Sequence, residues 1–567
     1  MRRIEIDGIP AMVGPTTGPM HAGLAFRVGQ ADETLARRGI THLVEHLALH
    51  TFGVADHHYN GTTTPEFTYF HTQGTADEIA AFLAGVCRSL RDLPMHRLDV
   101  EKELLRTERN GRQGGLGDSM ALWRHGARDY GLTGYPEWGL PAIGPEELRA
   151  WVATYFTRGN AALWIAADDV PAGLTLDLPD GPSRPAPRPS SALPRTPAWF
   201  PGSSGTVVWD AVVPRQPASG VFTAVLERSL MRSLRQEQGL SYSVNTDYDP
   251  RTDGTALITA AADSLPEKRG AVLGGFLDVL AALRFGQVDE KDVATVIGHR
   301  VDELSQAEER GGRLPGQALN LVSGRPMEAL EQILAEIRAV TPERLTEIAG
   351  QAWSTGLLMT PGGRSADWAG LAAAPTGSHA AVQGHAHPSL ESKGARLVVG
   401  NDGVSIIEDT DVATVRFDQV SAMLAWPDGG RFLIGADGIT LRVEPTLYGG
   451  SAAAIPHLDA RVPAAARVNQ PPRSPDNIPR PEPQAQAKAR TGRSTGPIIM
   501  LAVFIPLMLV SCLLGSVSLI TMNDPDPDVR SGSVFLLIFG LALTVGFGFG
   551  IVAAIRRLRA ARQARRS

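Results

Sequence analysis

At 567 residues the chain is too long for one hydrophobic core and must divide into several domains. A hydrophobic share of 43% and a net charge of −6 describe an ordinary folded protein and exclude a general affinity for nucleic acid. Only two cysteines, Cys87 and Cys512, are present, so neither a disulfide framework nor a CxxC zinc knuckle can be built, which favours a reducing compartment.

The opening MRRIEIDGIPAMVGP starts basic but reaches no continuous apolar run before Gly14 and Pro15, which predicts a first strand and no secretory signal. Ala11–Val13 and Leu24–Val28 have strand length, and Thr41–Thr51 is helical in pattern with Gly53 as its stop. Phe67–Thr72 alternates as a strand, Ala76–Arg91 and Leu98–Arg112 have helical periods, and Ala161–Ala166 reads as a closing strand. Residues 1–185 therefore predict a first α/β domain, and the Pro-, Ser- and Arg-rich run around 186–199 a linker. A second α/β block at 200–372 repeats the order of the first. Short strands separated by turns such as Asn401-Asp402-Gly403 predict a small antiparallel β domain at 390–448.

From 463 to 496 the chain is Pro-, Ala-, Arg- and Gln-rich, which predicts an extended tether. Residues 497–522 and 534–555 are uncharged and long enough to span a bilayer as helices, around the acidic turn NDPDPDVRSGS. Lys488, Arg490 and Arg493 precede them, and a basic tail at 556–567 follows. That charge pattern predicts a cell-membrane protein with two spans and with both termini, and everything before 497, in the cytoplasm. The predicted fold class is α+β: two tandem α/β domains, a small all-β domain and two transmembrane helices.

The chemistry concentrates in GITHLVEHLALH. His42 and His46 are four apart, so a helix sets both imidazoles on one face, within reach of one zinc ion. Glu45, on the same side, is placed to take a proton from water rather than to bind metal. A catalytic zinc needs a third protein ligand. His50 lies a further turn along and is a poor candidate, since one ion hardly reaches residues two turns apart. Glu101 and Glu108, seven apart in VEKELLRTERNGR, share a face of a second helix; Glu108 is the better candidate, with Glu101 close behind it.

The HxxEH pattern is that of inverted zinc peptidases, and the chain resembles the M16 family of pitrilysin, insulin-degrading enzyme and the mitochondrial processing peptidases. The resemblance rests on GITHLVEHLAL, on YNGTTTPEFTYF, on EKELLRTE, on GYPEWGLPAIGPEELRAWVATYFTRGNAALWIAAD and on LMRSLRQEQGLSYSV, and it covers residues 1 to about 370. It implies one zinc per chain on His42, His46 and Glu108, Glu45 as general base and Glu101 beside the ligands. It further implies Asn60 in the substrate cleft and Arg235 with Tyr242 as donors to the substrate carbonyl. A peptide or unfolded protein bound as an added strand is the implied substrate, in a homodimer or a heterodimer with a similar subunit. A non-catalytic scaffold or partner subunit is the rival reading. His46 and Glu108 are 62 residues apart (108 − 46), fewer than the family's usual spacing, and the shortfall falls near Thr51–Tyr59. The 390–448 segment resembles PH-like or GRAM-like barrels, which implies lipid or peptide binding or an inert spacer.

Overall fold

In a computed structural model, residues 1–50, 58–111 and 115–481 are described. The first lobe is a six-stranded sheet of β1 (Arg2–Ile6), β2 (Ile9–Gly14), β3 (His21–Phe26), β4 (His58–Thr63), β5 (Thr68–Gln73) and β6 (Ala161–Ala166). Its strand order is β1-β2-β6-β3-β5-β4, with β2 and β6 parallel and the other neighbours antiparallel. Three helices cover one face: α1 (Ile40–Leu49), α2 (Ala76–Arg91) and the helix Pro145–Tyr155. Two more, α3 (Leu98–Gly111) and α4 (Leu116–His125), lie between α2 and that last helix, which is therefore α5. Helix α2 starts where it does because Thr75 and Glu78 close a reciprocal cap: the Glu78 N–H donates to Thr75 Oγ1 (3.4 Å) and the Thr75 N–H to Glu78 Oε2 (2.7 Å).

The second lobe repeats this plan with β7 (Ala198–Pro201), β8 (Val207–Pro214), β9 (Val244–Pro250), β10 (Thr255–Ala262), β11 (Leu357–Thr360) and β12 (Ala372–Ala373). The order is β12-β7-β11-β8-β10-β9, with two parallel pairs (β12 with β7 and β7 with β11) beside an antiparallel run. Its helices are α6 (Pro217–Leu230), α7 (Arg269–Arg284), α8 (Glu290–Glu309), α9 (Leu314–Val322), α10 (Leu330–Arg338) and α11 (Pro342–Thr355).

Strand alternation tells which residues face which layer. Val13, Leu24, Phe26, Leu163 and Ile165 pack on the α1–α2–α5 side. Their sequence neighbours Met12, Ala25, Ala162, Trp164 and Ala166 pack on the opposite side, against Leu314, Ala318 and Val322 of α9, a helix of the second lobe. The converse holds for the second sheet, where Phe200, Val208, Leu357 and Met359 pack against Met120 of α4, and Trp123 stacks on Phe200 at 4.7 Å. Each lobe therefore lends one helix to the other's sheet. Buried Glu66 adds a polar tie, accepting from the Thr252 N–H (3.1 Å) and hydroxyl (2.8 Å).

The small β domain is a sandwich. One sheet has β13 (Gly384–Pro388), β14 (Arg396–Gly400), β15 (Gly403–Glu408) and β16 (Asp411–Arg416) in sequence order. The other runs β19-β18-β17-β20, from β17 (Val420–Ala425), β18 (Arg431–Gly435), β19 (Thr440–Val443) and β20 (Arg467–Asn469), and α12 (Ile455–Arg461) packs into the shared core. The sandwich packs on the first lobe, with Ala422, Leu424, Ile434 and Val468 buried against Leu35, Ala127, Leu132 and Tyr135. One expectation is corrected here: the chain is not a tether from residue 463, because β20 pairs parallel with β17 and Arg473 forks onto Asp428 and Glu444.

The expectation of a two-span cell-membrane protein with cytoplasmic termini is also overturned. No helix among the described residues is long and apolar enough to cross a membrane. The 20-residue α8 carries charge along its length, and the other long helices bury only one face against a sheet or neighbouring helices. Residues 497–522 and 534–555, on which that expectation rested, lie outside the described residues, as do residues 51–57 with the expected stop at Gly53.

Candidate metal centre

Helix α1 is started by a buried carboxylate. Glu33 accepts from the Gly39 N–H (2.9 Å) and the Thr41 N–H (2.9 Å), two donors that the first turn leaves without a helical partner. Arg38 pairs with the same carboxylate at 3.0 Å. Gly39 holds φ +102°, which favours glycine, and a Cβ there would come within 2.9 Å of the Glu137 Cβ. The start of α1 is thereby fixed against the loop that carries Glu137.

From α1, His42 and His46 stand one above the other with ring centroids 4.9 Å apart. Helix α3 lies alongside, so Glu108 Oε2 is 3.9 Å from His42 Nε2 and 3.7 Å from His46 Nε2. One ligand atom from each of the three falls within 4.8 Å of the others, the single such group among the described residues. The far nitrogen of each ring meets a carboxylate: His42 Nδ1 lies 2.9 Å from Glu137 Oε1, and His46 Nδ1 3.4 Å from Glu101 Oε2. A carboxylate only accepts, so a hydrogen on His42 Nδ1 is met by Glu137 and leaves Nε2 as the atom that would face a metal; Glu101 stands in the corresponding place behind His46. Two imidazole nitrogens and one carboxylate fit zinc. His50 is outside this group, its Nδ1 3.8 Å from Glu101 Oε1, and Glu101 is held from behind by Arg97 at 3.1 Å.

Glu45 faces the same cavity and is almost fully buried. Burial pushes its carboxyl above the usual range, against the pull of His42, the Thr63 hydroxyl and His46. Thr63 Oγ1 donates to Glu45 Oε2 at 2.5 Å. A side chain at Gly61 would meet Glu45 Cγ at 2.7 Å and Oε1 at 2.8 Å, so the strand passes this close only without one. For Glu137, burial also acts upward, but the His42 hydrogen bond and the charges of His42, Arg38 and Arg109 outweigh it and hold the carboxyl below its usual range.

The cavity, about 1100 Å³, is walled by α1, α3, residues 60–63 of β4 and residues 133–137. Strand β4 ends the sheet order, so no other described strand pairs with its outer edge beside the metal group. Asn60 lies on this wall, and its Oδ1 accepts from the Gly61 N–H at 2.9 Å. Arg235 and Tyr242 do not line the cavity. They sit together on the second lobe, with the guanidinium 5.2 Å from the ring centroid and Tyr242 79% exposed. Tyr242 is carried by a turn in which Asp263 Oδ1 accepts from the N–H groups of Tyr242 (2.9 Å) and Ser243 (2.8 Å). Glu137 is the residue that sequence reasoning missed; it lies in the quoted GYPEWGLPAIG segment, 95 positions from His42 (137 − 42), with no spacing to mark it.

No protein-family model and no curated protein matches the sequence. Solved structures do. The chain is similar to a protease from Helicobacter pylori, with 14% identity and a TM-score of 0.54 over 64% of this chain and 99% of that one. It is similar to a peptidase M16 inactive domain from Pseudomonas fluorescens, with 14% identity and a TM-score of 0.53 over 64% and 98%. The periplasmic protease PqqL from Escherichia coli matches at 10% identity and a TM-score of 0.51 over 76% of this chain and 55% of that one. Identities this low speak for architecture alone, and in architecture the chain has the mixed α+β fold of the M16 peptidases.

Proposed function

We propose that the protein is a zinc-dependent endopeptidase acting on peptides or unstructured protein segments. The observation that carries this reading is the convergence of His42, His46 and Glu108 within 4.8 Å, beside Glu45 in a cavity edged by the last described strand of the sheet. When bound, zinc supplies a Lewis acid that polarises a carbonyl and makes water acidic enough to attack near neutral pH. His42 Nε2, His46 Nε2 and a Glu108 carboxylate oxygen would hold it. Glu45 accepts the proton of the attacking water, a task helped by the basicity that burial confers, and returns it to the leaving amine. The outer edge of β4, which no other described strand covers, offers backbone partners to an extended peptide, and the Asn60 amide adds a donor on the same wall. The cavity is sized for a short stretch of chain, not for a folded domain.

Arg235 and Tyr242, exposed and away from this cavity, would act as substrate-carbonyl donors only across an interface, which fits a homodimer or a pairing with a similar subunit. Their separation also favours the rival reading of a non-catalytic scaffold, and one of the similar structures is itself an inactive domain. Peptide-library cleavage with Glu45→Gln as control decides between the two. The peptidase reading expects cleavage by the wild type, and a variant that still binds zinc but has lost at least about 100-fold in rate. Zinc bound by both with no cleavage by either favours the scaffold.

A further inference from the structure

We propose that the β sandwich is a working part of the metal centre: it braces the loop at residues 126–140, and through that loop Glu137 orients His42. The inference rests on the zinc reading above. His46 needs nothing outside its own lobe, because Glu101, which meets its Nδ1, stands on α3. His42 is different. Glu137, which meets its Nδ1 at 2.9 Å, belongs to no helix or strand, lying between the short helical turns Asp129–Gly134 and Leu140–Ala142. A carboxylate on a loop orients a ring only as well as the loop itself is held.

Two surfaces hold that loop. On the inner side, Arg38 reaches it twice, donating from Nε to the Leu132 carbonyl (2.9 Å) and lying 3.8 Å from Glu137 Oε1, while Gly39 leaves room for the Glu137 Cβ. On the outer side stands the sandwich. The Ala127 N–H donates to the Ala436 carbonyl (3.1 Å), and Ala127, Leu132 and Tyr135 are buried with Ala422, Leu424 and Ile434. Trp138, the residue after Glu137, lies edge-on to Phe432 of β18 with ring centroids 6.0 Å apart. The loop is therefore clamped between α1 and the sandwich, and the clamp closes at the position next to Glu137.

With the clamp intact, His42 is held in one tautomer and one ring orientation, its Nε2 lone pair directed at the metal position. With it loosened, the imidazole turns about its last torsion and the three-ligand set falls to two well-placed members.

The test uses the whole chain and reads zinc affinity by chelator competition, with melting in the absence of zinc as a check on folding. Glu137→Gln removes the charge facing His42 and is expected to weaken zinc binding by about 10- to 100-fold. Phe432→Ala, which touches none of the ligands, is expected to weaken it in the same direction; Phe432→Leu keeps more of the apolar volume and serves if the alanine variant does not fold. A wild type that binds zinc, together with folded Glu137 or Phe432 variants that bind it equally well, overturns the proposal and leaves the zinc reading standing. A folded wild type that binds no zinc removes both.

Discussion

His125, at the last turn of α4, is buried with Nδ1 donating to the Ser190 carbonyl at 2.6 Å and Nε2 sealed from water without a partner. Burial, with the positive charges of Arg251 and Arg124, brings its pKa down from 6.5 to about 3. The unfolded chain takes up a proton near pH 6.5 that the folded chain refuses until about pH 3, so stability falls as the pH drops through that window. The contribution is about 1 kcal/mol per pH unit, and denaturant midpoints measured from pH 7 to 4.5 should fall more steeply for the wild type than for His125→Gln. Equal slopes would mean that His125 protonates without cost. Gly61 is a residue of the opposite kind, needed for what it lacks. Gly61→Ala would press on Glu45, and under the proposed peptidase reading it should slow peptide cleavage in the library assay while the melting temperature stays close to the wild type's. Among single residues, His42, Glu45, His46, Glu101 and Glu108 could be singled out in the sequence because helical spacings of three, four and seven put them on common faces. Glu137 could not, since a loop residue has no period and its partner is far off in the chain. Arg235 and Tyr242 were legible as a pair, but not their separation from the cavity, which depends on how the two lobes meet.

At the scale of elements, the joint between α4 and β8 is an ion pair. Arg124 Nε donates to Asp210 Oδ1 at 3.0 Å, and both side chains are buried. Removing one partner strands a charge away from water, so Arg124→Ala should cost about 3–5 kcal/mol in equilibrium unfolding. Replacing both residues by apolar ones of similar volume should cost much less, and an equal cost would show that the joint requires the charged pair itself rather than its shape. The elements that sequence reading placed well are those with a strong local signal. Helix α2, with its Thr75–Glu78 cap, spans the same residues as its expectation, and so does the all-apolar β6. Strand β20 was hidden in a stretch of tether-like composition because its pairing with β17 comes from tertiary contact alone. The packing of α4 and α9 is likewise tertiary: nothing local in either segment says that it packs on the other lobe's sheet.

At the scale of the molecule, Met1–Pro481 form one compact unit. The sandwich covers apolar surface that the first lobe cannot cover itself, so a chain ended at residue 382 should expose Leu35, Ala127, Leu132 and Tyr135. Such a truncation is expected to melt at a lower temperature and to bind a hydrophobic dye; an unchanged melt would mean that the lobes close over this patch without help. The exchange of α4 and α9 has a further consequence, for the order of events during synthesis. When the ribosome has released the first lobe, Met12, Ala25, Ala162 and Trp164 have no cover until Leu314–Val322 emerge. The nascent chain thus carries half of a finished sheet in the open while some 150 more residues are made (314 − 166 = 148). The lobe that is made first is completed only by the one made second.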